Sequence, residues 1–574
     1  MILEDVVDFF REAPPLSLLE PGALMGLARR AGLDFYPGGT PVLGAGQAGE
    51  GFVLVVKKGL VRVDGEDYGE GSVLGWTPGA GVVVEDAVCY LLPPEAVAGA
   101  LRPRPELLDF LEGRLSAQVL EIGLAGIVRE IPAWLARRPL ATVSAGDVVR
   151  VGEPIPYDMS IRQAAAVMTE TFRDALVVVG REGRPSGVVT DRDFRIKAVG
   201  GGMSPEAPVE ELMSSPVVSV DAGSSCFDAL MAMTRHHLRH VVVMAGRIPA
   251  GVLSAQELLL KQVGSPPALA ARVARAATVE ELAEVSSLLD PLALGLLREG
   301  ARASSLGRIV GGLREALAAR ACQLAEEILG PPPCGYALML FGRAARREGP
   351  ALCPMWHAVV HDCAMDARAA DLWFERLGDF LNEALEIMHL SGAPGTPAAM
   401  DPQWRGTLEQ WRERLGGWAA AGPDGPADPG HFDFRPVHGQ LWLAEALRSH
   451  LAGLFGASGI SGLPKVSGGC AMLPETGQDS GPDSGADLAA RLVDQVRIWS
   501  MCAGVTRIAS VERASALKEL RPVGAELAHA LEYLTAWQWV GEPLRPSPMG
   551  KAMERMCRNA ARRAHDEMVA VVKP

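Results

Sequence analysis

The chain has 574 residues, 48% of them apolar, and a formal charge of −14 at pH 7. That length suits about three to five domains. The acidic balance disfavours a nucleic-acid binder, which carries a basic face, and leaves small molecules and proteins as expected partners. No apolar run approaches the ~20 residues of a membrane-spanning helix, and the start "MILEDVVDFF" is acidic where a signal peptide is basic. Nine cysteines contain no C-x-x-C pair. This predicts reduced thiols in a cytoplasmic protein, not a disulfide frame or a zinc site.

Residues 1–125 open with a short helix, "EDVVDFFREAPPL". Short apolar runs broken by glycines follow, "YPGGTPVLGAGQ" and "VLVVKKGLVRV". This predicts a small β-barrel or jelly roll. The segment resembles a cyclic-nucleotide-binding domain. In that family a later cassette supplies a Glu for the ribose and an Arg for the cyclic phosphate. Here the place reads "VLGWTPGAGVVVEDAVCYLL", with no Arg and no Glu just after Gly75. A cyclic phosphate would lack its charge-assisted partner, so a sensory or docking barrel is expected.

Residues 140–265 contain an internal repeat. "SIRQAAAVMTETFRDALVVV" and "SSCFDALMAMTRHHLRHVVVM" superpose, with Met168 and Met233 separated by 233 − 168 = 65 residues. Each copy reads as an amphipathic helix, a β-branched strand, a tight turn and a second strand, "GVVTDRDF" or "GVLSAQEL". Two such units must pack together to cover both sheet faces. The pair resembles cystathionine-β-synthase (CBS) domains, α/β modules that bind adenine nucleotides. The resemblance implies nucleotide binding through Thr190 and Asp193, and more weakly through Ser254 and Glu257. It also implies a homodimer. A hydroxyl at a strand-to-helix junction is equally an ordinary N-cap. The basic run "RHHLRH" (235–240) suits either a phosphate contact or a solvated helix end.

Residues 280–335 read as amphipathic helices ended by "GPPP". The next stretch, "LMLFGRAARREGPALCPMWHAVVHD" (338–362), reads as a buried strand, a glycine turn, a charged segment and a second strand. A nucleotidyltransferase needs such a turn for its triphosphate and two acids at i and i+2 on the following strand to hold Mg²⁺.

The chain resembles a bacterial signal-transduction family that joins cyclic-nucleotide-like, CBS and nucleotidyltransferase-like domains. Its last part is akin to protein-PII uridylyltransferase. The family pattern is G-S-x-G-R-x-E-Q-T-x-x-T-D-Q-D-N. This chain reads G-R-A-A-R-R-E-G-P-A-L-C-P-M-W-H from Gly342 to His357. Gly342, Arg346 and Glu348 match. Arg343 replaces the serine, Ala345 the second glycine, and Pro354 and Trp356 the two metal acids. Neither replacement ligates Mg²⁺ through its side chain. Asp362 lies about 20 Å further along an extended strand, and His357 alone suits softer metals. No catalytic residue, no metal ligand and no functional magnesium are therefore expected. Arg343, Arg346 and Arg347 either seat a phosphate without metal or form structural ion pairs.

In the tail, "FDFRPVHGQLWLAEALR" predicts a capped turn with an Asp433–Arg435 pair, then a helix. Gly/Pro/Asp-rich stretches at 419–430 and 473–487 predict loops. The reading is a multidomain α/β and α+β protein: a cyclic-nucleotide-like barrel over 1–125, a CBS pair over 140–265, a nucleotidyltransferase-like domain over 280–425 and a C-terminal helical domain over 430–574. Its function is nucleotide sensing in signal transduction, with a protein partner, no nucleic acid and no membrane, and a transferase-like pseudoenzyme module. The alternative is an active PII-uridylyltransferase-like enzyme that modifies a regulatory protein.

Overall fold

The computed structural model describes residues 3–572 apart from 44–51, 64–65, 75–79, 105, 132–143, 150–151, 172, 237, 255–257, 259–264, 364–366, 394, 422–428, 459–484, 519–521 and 542–546. The chain falls into two compact units. One joins residues 1–134 to 276–574; the other is 135–275.

In the first unit, helices Leu3–Glu12 and Pro21–Ala28 precede an antiparallel sheet. Its strands are β1 (Gly32–Tyr36), β2 (Pro41–Leu43), β3 (Val53–Val63), β4 (Glu66–Tyr68), β5 (Val73–Leu74) and β6 (Ala80–Leu92). The order is β1-β6-β3-β4, with β2 on β6 and β5 on β3. Among the described residues the strands form an open sheet, and no closed barrel or jelly roll is found. β3 shifts register against β6 around Gly59, whose φ is +94°. A Cβ there would stand 2.3 Å from the Asp86 carbonyl, so only glycine fits the bulge. The cassette at Gly75–Gly79 lies outside the described residues.

The 135–275 unit is built from the repeat. β7 (Ile155–Pro156), β8 (Ala175–Val179) and β9 (Pro185–Thr190) form one sheet; β10 (Ser219–Asp221), β11 (His240–Ala245) and β12 (Ile248–Ser254) form the other. Each has one parallel and one antiparallel pairing. Helix Ile161–Glu170 buries Ile161, Ala164 and Met168; helix Cys226–Arg235 buries Cys226, Ala229 and Met233, each 65 positions on. Both helices start on a capping box, Ser160 with Gln163 and Ser225 with Asp228. Ala175, Val177, Val242 and Val252 form a core cluster that unites the two sheets.

After residue 276 the first unit resumes with helices, the longest Ala303–Leu329, and a second sheet. Its strands are β13 (Tyr336–Phe341), β14 (Trp356–His361), β15 (Arg405–Thr407) and β16 (Phe434–Gly439), in the order β15-β14-β13-β16. β13 is buried at every position, as its continuous apolar run requires. Phe341, Trp404, Trp411 and Phe434 fill the core on one face. The expectation of reduced thiols fails here, because Cys334 and Cys363 are disulfide-bonded. β13 and β14 run antiparallel with Tyr336 opposite His361. That register brings two cysteines 29 residues apart to a Cα separation of 5.5 Å.

Helices Gly485–Cys502, Ser510–Leu517, Val523–Val540 and Pro548–Val572 close the chain. Helix Ala117–Glu130 packs on the last two. The contact is close, since a Cβ at Gly123 would stand 2.4 Å from Met553 Cε. Glu66 on β4 takes Arg558 at 2.9 Å and Arg562 at 2.7 Å from the final helix. No described helix is long and apolar enough to cross a membrane. Most of the 419–430 and 473–487 stretches lie outside the described residues.

Candidate functional site

β13 ends at Phe341, and the chain turns through Gly342 into one helical turn, Gly342–Arg346. The Gly342 N–H donates to the Asp433 carbonyl at 2.9 Å. Gly342 has φ +59°, and a Cβ on it would lie 3.1 Å from Cε3 of Trp356. Trp356 is paired with Phe341 in the β13–β14 ladder, so its indole covers the turn. All six residues singled out from the sequence here, Gly342, Arg343, Arg346, Glu348, Pro354 and Trp356, line one cavity of about 360 Å³. Asp494 and Arg497 from helix Gly485–Cys502, and Thr535 and Gln538 from helix Val523–Val540, complete its far wall.

The cavity floor is an ion cluster around Asp433, which is fully buried. Its carboxylate accepts from Arg346 Nη1 at 2.7 Å, Arg497 Nε at 2.8 Å and Arg513 Nη1 at 2.6 Å. Burial alone would raise the Asp433 pKa. The charges of Arg497, Arg513 and Arg346 outweigh that effect and hold it well below the usual carboxylate range. Arg346 also donates to Glu348 at 2.8 Å, and Glu348 accepts from the Ser510 backbone N–H at 2.6 Å and its hydroxyl at 3.2 Å. Arg497 also pairs with Asp494. Arg347 forks onto Glu315 with two bonds of 2.7 Å. Arg343 is exposed on the cavity and makes no ion pair among the described residues.

The expected Asp433–Arg435 pair is not what forms. Asp433 turns inward to the three arginines, and Arg435 donates to the Ala345 carbonyl at 2.9 Å and approaches Glu315 at 3.4 Å. The two acids on the cavity wall, Glu348 and Asp494, are each held by an arginine. Asp362 is exposed beyond the end of β14. His357 is buried, and its Nδ1 accepts the Ala399 N–H at 3.2 Å. Burial pushes its pKa down to about 4. Asp433 carries no local signal of its role, because it meets Arg497, Arg513 and Arg346 through contacts 64 to 87 residues apart.

In the 135–275 unit, Thr190 is the N-cap of the turn after β9. Its hydroxyl donates to Asp193 Oδ2 at 2.7 Å, and the Asp193 N–H returns to the Thr190 oxygen at 3.4 Å. Lys197 stands 3.0 Å from Asp193 Oδ1, and the Ser214 hydroxyl donates to the same oxygen at 3.3 Å. Burial raises the Asp193 pKa, but the Thr190 and Lys197 hydrogen bonds carry the net shift downward. Ser254 is buried at the end of β12 and partnered; Glu257 lies outside the described residues. In the basic run, Arg235 ends its helix, His236 caps it and His240 opens β11.

Residues 134–199 and 209–264 match the family described as "CBS domain". Hypoxic response protein 1 of Mycobacterium tuberculosis is 30% identical over 140 residues, which span 98% of that protein and 22% of this chain. The chain belongs to the CBS-domain family. The CBS domain-containing protein YhcV of Bacillus subtilis is 28% identical over 111 residues, 79% of that protein and 19% of this chain. Among solved structures, a CBS-domain protein of Pyrobaculum aerophilum complexed with AMP matches 20% of this chain and 89% of its own, at 26% identity and a TM-score of 0.19. Outside the CBS pair, residues 288–424 match the family described as "Putative nucleotidyltransferase DUF294". That span holds Gly342, Pro354 and Trp356, whereas Asp433, Asp494 and Arg497 lie beyond it.

Proposed function

We propose that this CBS-domain protein is a regulatory molecule. It senses an adenine nucleotide at the CBS pair, and its nucleotidyltransferase-like module binds a partner without transferring a nucleotide. The observation that carries the second half is the pair Pro354 and Trp356. They stand on the cavity wall where the resemblance puts two metal acids, and the indole lies against the Gly342 turn. A divalent cation needs oxygen donors at that place. The two acids on the cavity wall are committed to arginines, Glu348 to Arg346 and Asp494 to Arg497, as is the buried Asp433 to Arg346, Arg497 and Arg513. Losing the metal removes several kcal/mol of transition-state stabilisation, enough to abolish useful turnover.

The first half rests on the CBS pair. Thr190 and Asp193 sit at a strand-to-helix junction within it, where a hydroxyl and an acid suit a ribose and phosphate-side groups. The N-terminal sheet fits a docking or sensory role of the kind the resemblance to cyclic-nucleotide-binding domains implies, and the transferase-like module resembles protein-PII uridylyltransferase at Gly342, Arg346 and Glu348. The setting is a bacterial cytoplasm, with a homodimer formed through the CBS pair and a protein partner.

Two measurements on the full chain test the halves separately. Calorimetry with AMP, ADP and ATP is expected to show binding that Thr190→Ala and Asp193→Ala weaken; no heat at millimolar nucleotide would remove the sensing role. Incubation with labelled UTP or ATP, Mg²⁺ or Mn²⁺ and a PII-type acceptor is expected to transfer no label. Metal-dependent transfer lost in Glu348→Gln would establish the active enzyme instead.

A further inference from the structure

The three side chains at the far end of the β13–β14 pair form a second chemical centre. Cys334 lies two residues before β13, His361 ends β14, and Cys363 follows two residues later. One ligand atom from each, the two Sγ atoms and an imidazole nitrogen, all fall within 4.8 Å of one another. Among the described residues this is the one group of three or more His, Cys, Asp or Glu side chains so arranged. It stands at the opposite end of the strands from Trp356, roughly 17 Å along a five-residue extended step.

We propose that these residues are a redox-gated zinc site, closed as a disulfide when oxidised and able to hold one Zn²⁺ through Cys334, His361 and Cys363 when reduced. Tetrahedral zinc takes thiolate sulfur at about 2.3 Å and imidazole nitrogen at about 2.0–2.1 Å, which sets its ligand atoms roughly 3.4–3.8 Å apart. The three atoms are already within reach of that spacing. Breaking the disulfide frees both sulfurs to rotate outward from backbones whose Cα atoms are 5.5 Å apart. Two thiolates and one imidazole are a borderline-soft donor set, matched to zinc over magnesium or calcium. The His361 ring is held in place by stacking on Phe374, centroids 4.7 Å apart and planes 9° from parallel. The β13–β14 ladder fixes the backbone of the site, as a preorganised centre requires.

Access also distinguishes this pair. Cys334 and Cys363 are half-buried, whereas the free cysteines Cys89, Cys226, Cys322, Cys353 and Cys557 are all buried. A thiol reductant and a cation can therefore reach the site, and a water completes the fourth ligand position. The chemistry balances. A dithiol reductant gives two electrons and two protons to the disulfide and becomes a disulfide itself. The two thiols then release two protons as they bind Zn²⁺.

The test uses the full chain, reduced with a phosphine, desalted without air and titrated with Co²⁺ as a spectroscopic stand-in for zinc. The expected result is one tightly bound Co²⁺ with a thiolate-to-cobalt charge-transfer band, displaced by Zn²⁺. The band should be absent before reduction, lost in Cys334→Ser and Cys363→Ser, and accompanied by at least tenfold weaker binding in His361→Gln. A second readout needs no variant: in the reduced wild-type chain, Zn²⁺ should protect Cys334 and Cys363 from iodoacetamide, mapped by mass spectrometry. A reduced chain that takes up no Co²⁺, a band that survives in both serine variants, or alkylation of the two cysteines unchanged by zinc would each overturn the proposal.

Discussion

Trp356 lies against Gly342 so closely that a Cβ on the glycine would meet its ring at 3.1 Å, on a backbone with φ +59°. The turn that suits a triphosphate in an active transferase is here roofed by an indole. Gly342→Ala should cost ~1–2 kcal/mol, from the left-handed backbone and the tight ring contact together. Chemical denaturation should show a lower midpoint with an unchanged slope. An unchanged midpoint would mean the indole does not rest on the turn.

Asp433 is the single carboxylate shared by Arg346, Arg497 and Arg513. Asp433→Asn removes the buried carboxylate that three guanidiniums share; Arg346 keeps Glu348 and Arg497 keeps Asp494, but Arg513 loses its acid partner, and the expected loss is ~3–5 kcal/mol. Arg343→Ala, on the exposed side of the same cavity, should shift stability by less than ~0.5 kcal/mol. The denaturation midpoints of the two variants, measured side by side, check the contrast.

His357 gives the fold an acid-sensitive component. Its folded pKa of about 4 lies below the unfolded value of 6.5. The unfolded chain therefore binds the extra proton first as pH falls. Stability from the neutral imidazole is complete above pH 6.5 and declines towards pH 4, by ~3 kcal/mol at most. Unfolding free energy measured from pH 7.5 to 4.5 should fall, and His357→Gln should flatten that fall.

Glu66 ties the N-terminal sheet to the last helix through Arg558 and Arg562. Glu66→Gln should cost ~1–3 kcal/mol, because its side chain is only 6% exposed and its charge pairs with both arginines, of which Arg558 keeps Glu554. A double-mutant cycle with Arg558→Ala should show non-additivity. Strict additivity would show that the pair is not coupled.

What the sequence disclosed depended on whether the signal was local. The 65-residue repeat disclosed both helices in advance, because amphipathic spacing is written within ten residues. The Gly342–Trp356 stretch was legible for the same reason, and its six residues do share one cavity. The ion cluster was not, because Asp433 finds its arginines 80, 64 and 87 residues away, and local proximity suggested Arg435 instead. The Cys334–Cys363 pair was hidden likewise. No spacing motif marks it, and only the antiparallel register of β13 and β14 brings the two together. The expected barrel relied on glycine-punctuated runs, which specify strands and turns but not whether a sheet closes.

The helix Ala117–Glu130 packs on the two C-terminal helices, so the first 134 residues and the last 299 build one body that the CBS pair interrupts. A fragment that begins at residue 135 would strip Gly123 from the face formed by Met553 and Tyr533 and lay that apolar seam open to water. Dissecting this protein therefore calls for excising the middle and rejoining the flanks, since trimming from the front would yield an insoluble remainder.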